Sequence, residues 1–384
     1  MPATRTRCPH RNASQEEHLI TTSAVAGIDP HKHSGTVAVL SATGELITCE
    51  SFEISFEGLA RLLEILTGTG AVIDRVGVEG SASLGAPVVA ALRASGYDVR
   101  EVQASRTNDR RRRRHRAKTD ITDAHAIAAE TLADPALPPA RKHLETPSPA
   151  WDTLRVLRSQ RESLVLQRVR LLTEAEPVLC ALPVEIRDQL PATSRVMAAL
   201  KTIRTLDTGA LSRADSARIR WLQSTLSAVD AITIGLKRVD AEVPALLSEL
   251  GCTLTEIVGV GVVTAMTLLT EIGDPTRFET EAQFARWCGA APVAVSSGEG
   301  HGQPRRHRLD LAGNRQVNSV LHIVHVTQAR MHEPAKTYLA KSSATGKTAR
   351  GARRAHKRQL ANVIIRHMWN DAKRAPTAPT TVAA

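Results

Sequence analysis

The order of short apolar runs in the first third of this 384-residue chain restricts the folds open to it. Three runs rich in β-branched residues come first, and a set of leucines at helical spacing follows them. Runs of this length bounded by turn residues predict strands, whereas spacings of three and four predict helices. The predicted order is three strands, a helix, a strand, a helix, a strand and a helix. The strands are predicted at residues 24–28, 36–40, 46–49, 76–78 and 97–102, and the last helix at 120–132.

Four carboxylates occupy matching positions in this pattern. Asp29 ends the first predicted strand, Glu79 ends the fourth, and Asp120 and Asp123 lie three residues apart on the last helix. The order of elements is that of the ribonuclease H-like fold, so all four are expected at one edge of the sheet. Carboxylates with no Cys or His ligand beside them suit Mg²⁺ or Mn²⁺, and two such ions clamp the oxygens of a phosphodiester. The alternative role of each residue, taken alone, is to form a turn or to cap a helix.

The charge balance indicates a polyanionic partner. The formal net charge is +11 and the isoelectric point is about 9.9, which favours nucleic acid. Aromatic residues make up only 3%, so binding is expected to depend on phosphates more than on base stacking. The five cysteines are scattered without Cys-x-x-Cys spacing, which argues against a zinc site and a disulfide framework. Without a membrane-length apolar stretch or a signal peptide, a soluble, intracellular chain is expected.

A run of arginines directly precedes the acidic pair. Its position predicts that it delivers a phosphate backbone to the metal ions, with a strong dependence on salt. The alternative is a solvated face or a disordered arm. The residues concerned are Arg110, Arg111, Arg112, Arg113, Arg114, Arg116 and Lys118.

The middle of the chain predicts two long helices. Leu157, Leu164 and Leu171 are seven residues apart, and a second set between Leu222 and Val243 alternates steps of three and four. Such helices pair with each other or with another protomer as a coiled coil, or they pack onto their own domain. Prolines interrupt the segment between them and predict an irregular connection: Pro177, Pro183 and Pro191.

Two glycine-containing segments follow. Gly259 and Gly261 precede an apolar helix with the spacing of a helix-hairpin-helix turn, whose backbone N–H groups approach a DNA phosphate. A Gly-rich loop then carries Ser296 and Ser297. A serine hydroxyl there suits attack on a phosphodiester, with nearby guanidinium groups stabilising the transition state; a flexible linker is the alternative. The arginines after this loop are Arg305, Arg306 and Arg308.

Taken together, these motifs resemble the DEDD transposases of bacterial insertion sequences, the one-ten family. The resemblance rests on Gly-Ile-Asp29, Val-Glu79-Gly, Lys-Thr-Asp120-x-x-Asp123-Ala, Ile-x-Gly-x-Gly and Gly-x-x-Pro-x-x-x-x-Ser297-Gly, in consistent order over residues 24–370. It implies that Asp29, Glu79, Asp120 and Asp123 are metal ligands and that Ser297, favoured over the adjacent Ser296, is the nucleophile. The N-terminal extension and the proline-interrupted insert look longer than the family minimum.

The same resemblance implies an organisation and a set of partners. It predicts a flexible extension at 1–22, an α/β RuvC-like domain at 23–145, a helical coiled-coil region at 146–250, a mainly α transposase domain at 251–372 and a tail at 373–384. Two Mg²⁺ or Mn²⁺ ions, donor and target DNA, a structured guide RNA and a homodimer or homotetramer are expected. So are a covalent phosphoserine intermediate, formed where the serine joins the acidic site, and a location in the bacterial cytoplasm at the nucleoid.

Three other functions are compatible with parts of the pattern. A resolvase-like nuclease needs only the acidic set and hydrolyses DNA without the serine. A catalytically inactive element remnant or regulator needs only the basic surface. An actin-like sugar kinase also opens on Gly-Ile-Asp and a hairpin, but it requires phosphate-binding glycine loops that the sequence lacks.

Overall fold

The computed structural model describes residues 23–107, 119–141, 149–191, 195–207, 211–294, 307–309 and 313–374. The chain divides into two compact units, of which the first extends to Leu137 and the second begins at Pro138.

The first unit is a five-stranded mixed sheet with helices. Its strands are β1 (Ser23–Pro30), β2 (Ser34–Ser41), β3 (Leu46–Glu53), β4 (Val72–Glu79) and β5 (Val99–Val102), and its helices are α1 (Phe56–Gly68), α2 (Ala86–Ala94) and α3 (Asp120–Ala133). Residues 104–107 add a helical turn after β5. The strand order is β3-β2-β1-β4-β5, with β1, β2 and β3 antiparallel and β1, β4 and β5 parallel. The predicted succession of strands and helices is confirmed, and the sheet is compatible with a ribonuclease H-like fold.

Helix α3 lies against β1 and β4 at a pair of glycines. Gly27 and Gly77 are partners in the parallel register of these two strands. A Cβ atom at Gly27 would lie only 2.0 Å from the backbone nitrogen of Ala128, and one at Gly77 only 1.9 Å from Thr131 Oγ1. The helix therefore approaches the sheet this closely because neither strand has a side chain at the crossing.

The second unit is mainly helical. Its elements are α4 (Pro149–Cys180), α5 (Val184–Arg187), α6 (Val196–Ile203), α7 (Arg213–Glu249), α8 (Val262–Ile272), α9 (Glu281–Trp287), β6 (Pro292–Ala294), β7 (His307–Leu309), α10 (Arg315–Met331), α11 (Glu333–Ala344) and α12 (Ala349–Arg374). Two short 3-10 helices, Leu254–Glu256 and Pro275–Arg277, flank α8. A continuous hydrophobic core joins one end of the α4 and α7 pair to α8, α9, α10 and α12.

The two longest helices, α4 and α7, pair with each other in antiparallel orientation. Arg161 Nε donates to Asp240 Oδ1 at 2.6 Å. Farther along α4, Ala175 shares a hydrophobic cluster with Leu222, near the start of α7. The apolar positions predicted for α7 face inward: five are buried, and two are half-buried. The buried ones are Leu222, Leu226, Val229, Val239 and Val243, and the half-buried ones are Ile232 and Leu236. A coiled coil with another protomer stays a prediction.

The prediction that Pro177 belongs to the connection between the two long helices is wrong, because α4 continues to Cys180. A proline there removes one hydrogen bond to the preceding turn, but Ala175 and Leu179 on either side of it are buried in one hydrophobic cluster, and this packing stabilises the last turn of the helix. The connection after Pro183 is also more regular than expected, since α5 and α6 lie within it.

Candidate active site

The carboxyl ends of two neighbouring parallel strands carry the first two predicted carboxylates. Asp29 is the penultimate residue of β1, and Glu79 is the last residue of β4. The last register pair between these strands is Ile28 with Val78, so Asp29 and Glu79 follow at the same level. At β1 the sheet changes from antiparallel to parallel pairing. The edge beyond the carboxyl ends of parallel strands is where open α/β sheets bind ligands.

Helix α3 adds the second pair of carboxylates to this edge. The Thr119 hydroxyl accepts the backbone N–H of Thr122 at 3.2 Å, and the Thr122 hydroxyl accepts the backbone N–H of Thr119 at 3.0 Å. This reciprocal cap makes Asp120 the first residue of the helix, where the exposed N–H groups favour a negative charge. Asp120 is exposed, whereas Asp123, one turn later, is buried.

Asp29 and Asp120 meet around a residue that the sequence reasoning missed, His31. The Nε2 atom of His31 lies 3.4 Å from Asp29 Oδ2 and 3.3 Å from Asp120 Oδ1. These three atoms all lie within 4.8 Å of one another, a spacing that can hold a metal ion. Within the described part of the chain this is the one such group of three or more His, Cys, Asp or Glu side chains.

A histidine thus lies beside two of the predicted carboxylates, where the sequence analysis expected none. The signal was present in the sequence, because residues two apart in extended backbone project from the same face, and His31, the first residue after β1, follows Asp29 by two.

Glu79 and Asp123 lie outside the group formed by Asp29, His31 and Asp120. Glu79 Oε2 instead accepts a hydrogen bond from the hydroxyl of Thr107 at 2.8 Å. Thr107 is buried and belongs to the helical turn after β5. This bond orients the Glu79 carboxylate at the same sheet edge, so Glu79 stays a predicted ligand.

The remaining predicted residues are divided between described and undescribed parts of the chain. Gly259 adopts φ 89°, a left-handed conformation that favours glycine, and Gly261 directly precedes α8 with open space where a Cβ atom would lie. Arg308 belongs to β7, but its side chain is not described. Outside the described residues lie Arg110, Arg111, Arg112, Arg113, Arg114, Arg116, Lys118, Ser296, Ser297, Arg305 and Arg306.

The backbone on either side of the serine segment is held by polar contacts. Strands β6 and β7 pair antiparallel, with Pro292 opposite Leu309. Asn314 donates its backbone N–H to the carbonyl of Trp287 at 2.8 Å, and Asn318 Nδ2 donates to the carbonyl of Cys288 at 3.0 Å. The buried Lys357 in turn donates to the Asn318 carbonyl at 2.9 Å. The residues before and after the segment are thus tied together.

The described part of the chain is an α/β unit with a candidate metal group at the carboxyl ends of its central strands, followed by a mainly helical unit. A sequence model described as "Transposase", of the DEDD type, matches residues 26–181. A second, described as "Transposase IS116/IS110/IS902 family", matches residues 252–340. The chain belongs to the IS110 family of transposases.

Two curated relatives are similar to parts of the chain. One is the "Insertion element IS110 uncharacterized 43.6 kDa protein" of Streptomyces coelicolor, 35% identical over 130 residues, which are 33% of this chain and 31% of that protein. The other is the "Putative transposase y4qE" of Sinorhizobium fredii, 32% identical over 109 residues, 27% of each chain. The matched segments thus span a third or less of these relatives.

Among the helices of the described residues, none combines the length and the apolar character needed to cross a membrane.

Proposed function

We propose that this chain is a transposase that cleaves and rejoins DNA. The observation that carries the proposal is the meeting of Asp29 and Asp120, which come from different elements, at the carboxyl ends of β1 and β4. An exposed group of this kind is common without a metal ion, but here it lies in a chain whose two matched regions both belong to transposases. The unit that holds it has a mixed five-stranded sheet that is compatible with a RuvC-like domain.

The proposed metal ligands are Asp29, Glu79, Asp120 and Asp123. Carboxylate oxygens with the facing geometry of Asp29 and Asp120 suit Mg²⁺ or Mn²⁺, and we propose two ions. Divalent ions bound there would neutralise phosphate charge and activate the scissile phosphodiester. The cap at Thr119 and the glycine crossing of α3 hold Asp120 in place before any substrate binds.

Ser297 is the proposed nucleophile. Its Oγ atom forms a bond to the phosphorus as the bond from phosphorus to the leaving strand breaks. The serine proton passes to a base and the leaving oxygen takes up a proton. The resulting phosphoserine ester retains the energy of the phosphodiester, so that a second strand end can later displace the serine and rejoin the DNA.

The basic balance of the chain supports nucleic acid as its partner. The arginine run at 110–116, Lys118 and the arginines at 305–308 are proposed to contact phosphates, and Gly259 and Gly261 to admit a backbone to the start of α8. We further propose a structured guide RNA, which leaves the reading of sequence to base pairing. Exchange between two duplexes needs at least two active sites, so a dimer or tetramer is proposed.

The test uses the gene with its native flanks on a donor plasmid in bacterial cells, with junction sequencing for recombination and denaturing gels for protein–DNA adducts. Ser297→Ala is expected to lower adducts and recombination at least about a thousandfold while nucleic-acid binding persists. Ser296→Ala, the adjacent serine, is the control and should retain activity. Asp120→Asn should abolish both readouts.

Two results would contradict the proposal in different ways. Continued cleavage by Ser297→Ala without adducts, combined with loss of cleavage in Asp120→Asn, would make the chain a metal-dependent nuclease without serine chemistry. Recombination by both variants would remove the carboxylates and the serine from the mechanism altogether.

A further inference from the structure

We propose that His31 is a protein ligand in the same metal centre and that it makes the centre prefer Mn²⁺ over Mg²⁺. This inference rests on the proposed function, because it assumes that Asp29 and Asp120 hold a divalent ion. It goes beyond the four carboxylates, since it adds a nitrogen ligand from the turn between β1 and β2 and a specific consequence for the choice of metal.

The geometry around His31 Nε2 is that of a ligand set. The atom faces one oxygen of Asp29 at 3.4 Å and one of Asp120 at 3.3 Å. Two ligand atoms at right angles on an ion at about 2.1 Å lie about 3.0 Å apart, and on a tetrahedral ion at about 2.0 Å about 3.3 Å apart. The two separations from Nε2 are close to this range, and the two carboxylate oxygens lie within 4.8 Å of each other, so the three atoms can hold one ion.

The Nε2 atom makes no hydrogen bond that would account for its position. It is buried and lacks a hydrogen-bond partner, although the His31 side chain is 43% exposed and both carboxylate oxygens are near. The distances are short, yet neither oxygen accepts a hydrogen bond from Nε2. A neutral imidazole with its proton on Nδ1 would instead direct the Nε2 lone pair at a cation between the oxygens.

The backbone holds His31 in this position from both sides. Pro30 precedes it and restricts the chain at the end of β1. The His31 N–H donates to the carbonyl of Ser34 at 2.7 Å, which closes the turn into β2. Asp29 and His31 are thereby set at the end of one strand, independently of α3, and Asp120 completes the group. A ligand on such a short, bonded turn loses little freedom when it binds an ion.

The chemistry of imidazole predicts the metal preference. Mg²⁺ is a hard ion bound almost entirely by oxygen, whereas imidazole suits transition metals, and carboxylates suit both Mg²⁺ and Mn²⁺. A set of two carboxylates and one imidazole therefore adds affinity for Mn²⁺ that Mg²⁺ does not share. Phosphodiester chemistry is available to either ion, so the preference changes which ion occupies the centre and leaves the reaction unchanged.

The experiment measures metal binding by the full-length, metal-free chain without DNA. Mn²⁺ alone is titrated and followed by electron paramagnetic resonance, with spin-echo modulation to detect a nitrogen bound directly to the ion, and Mg²⁺ is measured by competition. Four proteins are compared: the wild type, His31→Ala, His33→Ala and Asp29→Asn. His33 is the matched control, because it lies in the same turn but is exposed and outside the group.

The wild type is expected to show nitrogen modulation on bound Mn²⁺. His31→Ala should lose it and bind Mn²⁺ at least about tenfold more weakly, with Mg²⁺ affinity within about twofold of the wild type. His33→Ala should match the wild type. The nitrogen signal of the wild type needs no variant, so the test does not depend on how any variant folds.

Failure of this inference differs from failure of the proposed function. If Mn²⁺ binds without nitrogen modulation, and Asp29→Asn weakens it while His31→Ala does not, then His31 is no ligand and the carboxylate centre stands. If the wild type binds Mn²⁺ no better than Asp29→Asn does, the centre itself is refuted, and with it the metal step of the proposed function.

Discussion

The closeness of α3 to the sheet predicts that alanine substitutions at two paired glycines are both destabilising, but that only one of them is rescued by shortening a side chain on α3. At Gly27 an added Cβ would lie 2.0 Å from Ala128 N and 2.6 Å from Ala124 O, whereas ordinary contact begins near 3.4 Å. The helix would have to move by about 1.4 Å, because both clashing atoms are backbone and no rotamer change relieves them. Overpacking typically costs about 1–3 kcal/mol, and we expect Gly27→Ala at the upper end, about 3 kcal/mol.

The same substitution at Gly77 meets a side chain. Its Cβ would lie 1.9 Å from Thr131 Oγ1 and 2.9 Å from Val102 Cγ2. Gly77→Ala should therefore cost about 2–3 kcal/mol, and adding Thr131→Ala should recover at least about 1 kcal/mol of it. Recovery stays partial, because Val102 is still too close. Thr131→Ala should recover nothing from Gly27→Ala.

The assay is native-state hydrogen exchange of the full chain with mass spectrometry, which reports the opening free energy of peptides from α3. Tryptophan fluorescence is unsuitable, because the chain has four tryptophans and all of them follow the first unit, at 151, 221, 287 and 369. Gly68→Ala is the control, since no atom lies within 4 Å of its added Cβ and alanine favours the helix. Exchange in α3 that is unchanged by Gly27→Ala, or equal rescue of both variants by Thr131→Ala, would refute the backbone-contact argument.

Two further predictions concern the second unit, where urea unfolding by tryptophan fluorescence applies. Burial is the main cause that lowers the pKa of His325 to about 4, and the neighbouring His356 is the next. Burial also lowers the pKa of His356. As the pH falls, the unfolded chain binds these protons before the folded chain does. The free energy of unfolding should therefore fall from pH 6.5 towards pH 4, by at most about 1.4 kcal/mol per pH unit for each histidine. His325→Gln should flatten this slope, and an unchanged slope would contradict the assignment. Glu271 accepts hydrogen bonds from Arg158 at 2.5 Å and from Asn314 at 2.7 Å. Glu271→Leu should cost about 2–3 kcal/mol, because it removes these charge-assisted hydrogen bonds and leaves the guanidinium of Arg158 with Thr270 and the half-exposed Glu162. The control is Glu174→Ala, which removes an exposed glutamate. Equal losses of stability in the two variants would show that burial is not the cause.

Local patterns in the sequence were sufficient to predict most elements. The alternating apolar runs predicted all five strands of the first unit, because strand formation at these positions depends on short β-branched segments between turns. The apolar face of α7 was predicted for the same reason, since burial follows a periodicity that the sequence carries by itself. The place of Pro177 was misjudged because the helix continues past it through packing against residues far along the chain, which the local sequence does not show.

For the candidate site, the sequence and the tertiary structure each determined a different part. The sequence by itself determined which carboxylates end strands and which begin a helix, because Asp29, Glu79 and Asp120 follow from local pattern and capping. Only the tertiary structure decided which groups meet. The crossing of α3 over Gly27 and Gly77 brings Asp120 to the end of β1, and the β1–β2 turn directs His31 between the two aspartates. The physical reason is that a ligand group is set by distances between elements far apart in the chain, and those distances are fixed by packing.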